Sequence, residues 1–134
     1  MKKIIVLFCI ISVFAVFIFP EDIGEINNQR ETIVKSNEMS LKVGFSLPTV
    51  GWVSQNSKGE VTGYTGFNLG LGFSARKYFE PLRTNEWNGH WDFGTVYFLI
   101  PYLGVGAEYL TDSGFYFGLG VIYLIPYIEF GVNF

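Results

Sequence analysis

The chain has 134 residues, of which 49% are hydrophobic, 19% aromatic and only 16% charged, with a formal charge of −3. A single small domain cannot hide that much aromatic surface inside itself. With no run of lysine or arginine, the chain also lacks the basic footprint of a nucleic-acid binder.

The first element follows "MKK": an apolar run from Ile4 to Phe19, interrupted by Ser12 and closed by Pro20 and "ED". A charged start, an apolar stretch and a polar boundary predict a secretory signal peptide over residues 1–20. No clean Ala-x-Ala marks the cleavage site. An uncleaved anchor is the alternative, but the run is 16 residues, short of the roughly 20 that a spanning helix needs. Cys9, the only cysteine, lies inside it behind Phe8 rather than the small residue of a lipoprotein site. The exported part then has neither a disulfide nor a cysteine nucleophile. Residues 21–38 are polar and read as a periplasmic linker, with room for one short strand around Ile33 and Val34.

From residue 39 to residue 134 the pattern alternates with a period of two, the mark of strands with one apolar face. Leu41, Val43, Phe45 and Leu47 oppose Lys42, Gly44 and Ser46. Read as one strand, "FNLGLGFSA" sets Phe67, Leu69, Leu71, Phe73 and Ala75 against Asn68, Gly70, Gly72 and Ser74. Further on, "LIPYLGVGAEY" and the final "LIPYIEFGVNF" are near-copies, with Glu108 and Glu129 on their glycine-bearing faces. Polar, glycine-bearing stretches at Ser54–Glu60 and Thr111–Gly114 read as turns, and Asn88-Gly89 as a tight hairpin tip. Pro48, Pro101 and Pro126 interrupt apolar stretches and mark turns at the opposite end. Four strands are then expected over residues 91–99, 102–110, 115–123 and 127–134. These are at or just under the roughly 9–11 residues of a tilted membrane strand.

The second row is mostly Gly, Ser and Asn, a poor coat for a soluble barrel but a good filling for a narrow one. The apolar row is therefore assigned to lipid. Lys42, Asn68, Asp92, Glu108, Glu129 and Asn133 are assigned to the lumen. Trp87, Trp91, Tyr102, Tyr109 and Tyr127 form the expected aromatic belt at the interfaces. Unpaired strand edges cannot stand in hydrocarbon, so the last strand must pair with the first. The expected fold is an all-β, antiparallel up-and-down transmembrane barrel of eight strands.

This alternation, the signal peptide and a final strand "IEFGVNF" ending on Phe134 resemble the small outer-membrane β-barrel proteins of Gram-negative-type bacteria, broadly the OmpA, OmpX and OmpW-like group. The resemblance implies an outer-membrane location and lipid as a partner. It also implies that Phe130, Val132 and Phe134 contact the barrel assembly machinery. Eight strands from residue 40 require very short connections, and residues 50–66 are hard to divide. A homo-oligomer that completes the barrel from several chains is the alternative.

No catalytic, cofactor or metal site is expected. The "GLG" and "GVG" triplets lack the third glycine of a dinucleotide loop and open no helix. His90, the sole histidine, reads as an exposed loop residue without ligand companions. Arg76, Lys77 and Arg83 read as markers of the water boundary, with lipopolysaccharide phosphates as the other reading. Glu108 and Glu129, paired with Lys42 or Arg76, are expected to plug the lumen. The expected function is a structural or interaction role without catalysis. A narrow or oligomeric pore for small solutes is the second reading, and a soluble periplasmic lipid-binding barrel the third.

Overall fold

The structure, a computed structural model, describes residues 32–134. The expected signal peptide and most of the expected linker lie outside the described residues. The strands are β1 (Thr32–Ile33), β2 (Leu41–Phe45), β3 (Val50–Gln55), β4 (Val61–Asn68), β5 (Gly72–Tyr78), β6 (Arg83–Thr84), β7 (Glu86–Val96), β8 (Ile100–Leu110), β9 (Phe115–Ile122) and β10 (Ile125–Asn133). Eight of them close into an antiparallel barrel in the order β10-β2-β3-β4-β5-β7-β8-β9. β1 and β6 pair with each other outside it.

Closure occurs where the sequence requires it. β10 pairs with β2, with Val132 opposite Val43 and Phe130 opposite Phe45, and the Phe45 and Phe130 rings stack outside the seam at 5.5 Å. The ladder runs to the last residue: the Phe134 carbonyl accepts hydrogen bonds from the Ser40 and Leu41 amides, and the Phe134 amide donates to Leu41 O at 2.7 Å. No open edge is left in the barrel.

The connections sort the barrel into two ends. At the tip lie the tight turns 46–49, 69–71, 97–99 and 123–124; at the base lie segment 32–40 and the loops 56–60, 79–85 and 111–114. The stretch at residues 50–66 divides at 56–60, where the Asn56 side chain accepts hydrogen bonds from the amides of Lys58 and Glu60. Part of the expected linker caps the base. Val34 donates to Leu82 O, Leu82 to Val61 O and Val61 to Val34 O at 2.8–3.0 Å. Those three side chains are buried with Tyr64, Tyr78, Leu110 and Tyr116 in one apolar cluster. Burying side chains of this size stabilises the cap by about 1.5–3 kcal/mol each.

Three expectations about local structure are corrected. Asn88-Gly89 is no hairpin tip but lies inside β7; the turn chemistry sits at Asn85, whose φ is 59°. "FNLGLGFSA" is two strands joined at 69–71, not one. Pro101 and Pro126 are each the second residue of a strand rather than the turn itself, at a strand start where a missing amide is tolerated. Pro48 does sit in a turn, between β2 and β3.

Candidate functional site

The apolar row faces outward and the small, polar row faces in. Phe45, Phe67, Phe73, Trp91, Phe93 and Phe117 are exposed on the wall, while the inward row holds buried Lys42, Arg76, His90, Asp92, Glu108 and Glu129. An apolar lumen, which the soluble lipid-binding reading needs, is not what the barrel contains.

Arg76, projecting from β5, is the hub. Its Nε donates to Asp92 Oδ1 at 2.7 Å and its Nη2 to Asp92 Oδ2 at 2.9 Å. Glu129 receives Nη2 at 2.7 Å and Nη1 at 2.9 Å, and Nη1 also donates to Glu108 Oε2. All five guanidinium N–H groups therefore have carboxylate acceptors, the fork geometry that only arginine offers. Lys42 crosses from β2 to donate to Glu108 Oε2 at 2.5 Å and lies 3.4 Å from the centre of the Tyr116 ring. Tyr78 donates to Glu108 Oε1 and Tyr127 to Asp92 Oδ2, each at 2.5 Å. These bonds tie five barrel strands, β2, β5, β7, β8 and β10, across the lumen.

His90 completes the cluster. Its Nε2 is 3.3 Å from Asp92 Oδ2 and 3.8 Å from Glu129 Oε1. The expected exposed loop histidine is thus a fully buried lumen residue, two places before Asp92 on the same strand face. It also has the companions that sequence reading found lacking: ligand atoms of His90, Glu108 and Glu129 lie within 4.8 Å of one another. Both carboxylates are already held by Arg76, and Glu108 also by Lys42 and Tyr78, so a cation entering there would compete with two fixed positive charges.

Above this cluster, towards the tip, Asn68 donates to Ser74 Oγ at 2.8 Å and to Thr95 O at 2.9 Å, and Ser74 shares a hydrogen bond with Tyr102. Ser46, at the start of the first tip turn, bonds the hydroxyl of Tyr116 at 2.8 Å and so ties that turn to the apolar cluster rather than to this polar layer. The lumen is therefore filled in three layers: the apolar cap at the base, the charge cluster, and a neutral polar layer below the tip. Its filling depends on glycine at the register positions opposite the large side chains. Gly106 faces His90, Gly118 faces both Glu108 and Glu129, and Gly120 faces Tyr127. A Cβ on Gly120 would stand 2.6 Å from the Tyr127 ring. We expect Gly120→Val to lower stability by about 1–3 kcal/mol through overpacking, read as a lower urea midpoint. An unchanged midpoint would mean that the lumen is looser than its geometry.

All six lumen candidates face inward, Asn133 included, whose side-chain amide has no hydrogen-bond partner among the described residues. Of the expected belt, Trp87 and Trp91 are exposed, and Trp87 packs edge-on against Tyr109 at 5.8 Å. Tyr102 and Tyr127 are corrections: both point inward, to Ser74 and Asp92. Arg76 is a correction too, because it is the buried centre of the lumen and not a boundary marker, whereas Lys77 beside it is exposed. Arg83 stands at the base, paired with Glu80 and Glu86 at 3.4 Å. Phe130 and Phe134 are exposed at the closing seam.

Comparison with protein-family models, with curated proteins and with solved structures gives no match.

Proposed function

We propose that this chain is a small bacterial outer-membrane β-barrel protein with a structural or interaction role and no catalytic step of its own. The observation that carries the reading is the pairing of an aromatic, apolar wall with a lumen filled by the Arg76 cluster. A wall of this kind suits hydrocarbon, and a hydrogen-bonded charge cluster suits the interior of a narrow membrane barrel. The resemblance to the OmpA, OmpX and OmpW-like group supports the same location, reached through the signal peptide, with outer-membrane lipid around the wall. It supports a role for Phe130, Val132 and Phe134 as the segment offered to the assembly machinery.

The filled lumen favours a closed barrel over a pore. In planar bilayers the purified protein is expected to give no stepwise conductance. Regular conductance steps whose ion selectivity changes in Glu129→Gln would instead establish the pore reading, with Glu129 at its constriction.

A further inference from the structure

The tip and the base of the barrel are built from opposite chemistry. The loops and cap at the base carry Lys35, Glu38, Lys58, Glu60, Glu80, Arg83, Glu86 and Asp112, and Lys77 stands on the adjoining wall. The four turns at the tip, "SLPT", "LGL", "YFL" and "YL", carry no charged side chain. In the last three of these turns the large residues are open: Leu99 is 83% exposed and Leu124 71%, with Ile125 and Ile128 exposed next to them.

The backbone makes the contrast sharper. A left-handed φ is sterically unfavourable for residues with a branched or bulky side chain and is normally given to Gly, Asn or Asp. At the base the left-handed positions are Gly59, Asn85 and Gly114, the residue types expected in water. At the tip they are Leu71, Tyr97, Phe98 and Tyr123, with φ of 50–58°. Tyr97 and Phe98 occupy both central places of a turn closed by the Leu99 amide donating to Val96 O at 3.2 Å. That pair of places ordinarily holds Asn-Gly. The tip thus keeps bulky apolar side chains against backbone preference, where the usual turn residues would be both easier to fold and more soluble.

We propose that the tip itself is seated in lipid hydrocarbon: the barrel ends within the bilayer on that side, presents no loops to water there, and offers the base as its water-facing surface. This rests on the membrane reading above. Lipid acyl chains are the occupant because the apolar tip is continuous with the apolar wall around every strand, with no charged ring between them.

The test uses single cysteines in the full chain with Cys9 replaced by serine: Leu124→Cys at the tip, Leu103→Cys on the wall and Ser57→Cys at the base. Each carries an environment-sensitive fluorophore, in dioleoylphosphatidylcholine vesicles. Leu99→Cys replaces Leu124→Cys should that variant not fold. The expected result is that the tip and wall labels are quenched several-fold more by acyl-chain nitroxide lipid than by aqueous iodide, with the base label reversed. A tip label quenched by iodide while the wall label answers to nitroxide lipid overturns the proposal and leaves the membrane reading standing. A wall label quenched by iodide removes the membrane reading and the proposal with it. Tip quenching by nitroxide lipid that disappears as the protein-to-lipid ratio rises would assign the tip to a second copy of the chain and overturn lipid as its occupant.

Discussion

Arg76→Met is expected to destabilise the folded barrel by about 3–5 kcal/mol, the range for removing one partner of a buried ion pair. Methionine keeps much of the side-chain length but supplies no donor. Asp92 and Glu129 then lose the hydrogen bonds that Arg76 gives them, and Glu108 keeps only Lys42 and Tyr78. Three carboxylates would remain in one lumen with a single lysine to offset them. Urea titration of the protein in detergent micelles should show the midpoint falling accordingly. Adding Asp92→Asn and Glu129→Gln to Arg76→Met should recover most of the loss, since neutral amides do not repel one another and can hydrogen-bond. An Arg76→Met protein as stable as the parent would mean that the cluster is incidental to the closure of the barrel.

Val105→Arg tests the outside of the same wall. Val105 lies midway along β8, between Trp91 on β7 and Val121 on β9. With the wall in lipid as proposed, an arginine midway along it is expected to cost about 2–4 kcal/mol. The loss should appear in vesicles as a lower folded yield at a given urea concentration. Lys77, also outward-facing, is the last residue but one of β5, beside the base loop 79–85; with the wall in lipid, Lys77→Leu should change stability little, because the cost of charge falls towards the interface. Equal tolerance of charge at residues 77 and 105 would place the wall in water.

The facing of the strands was legible because it is a parity rule. Once Asp92, Glu108 and Glu129 are set inward, every second residue on those strands follows. Extended two places, the same rule places His90 and Tyr127 in the lumen, extended six places from Glu108 it places Tyr102 there, and carried from Ser74 it places Arg76 there. Local turn signals hid this. Asn88-Gly89 resembles a hairpin tip, but Asn88 uses its side chain to bind the backbone of Arg83 at 2.8 and 2.9 Å, and Gly89 lies under the Phe79 ring, where a Cβ would be 2.7 Å from a ring carbon. Asn and Gly are there to seat the neighbouring loop against a strand. Pro101 and Pro126 open strands instead of standing in the turns, so Tyr102 and Tyr127 are strand residues of the lumen and not interface residues beside a turn.

The turn at 69–71 escaped for a different reason. Asn68 and Gly72 are partners across it, and both face inward. Three intervening residues preserve the parity, so the alternation runs through the turn unbroken. With Leu69 and Leu71 in place of the usual polar turn residues, composition gave no signal either. What no single-strand pattern contains is the convergence of Lys42, Arg76, Asp92, Glu108 and Glu129 on one point, because it depends on the stagger of strands far apart in the chain.

The most direct test of a closed barrel with its apolar wall in lipid is the mobility of the detergent-extracted protein in an SDS gel, boiled and unboiled side by side. The expected result is recovery from the membrane fraction and an unboiled band that migrates at a different position from the boiled one, at the size of a single chain. Recovery from the soluble fraction without detergent, with one mobility before and after boiling, would contradict it.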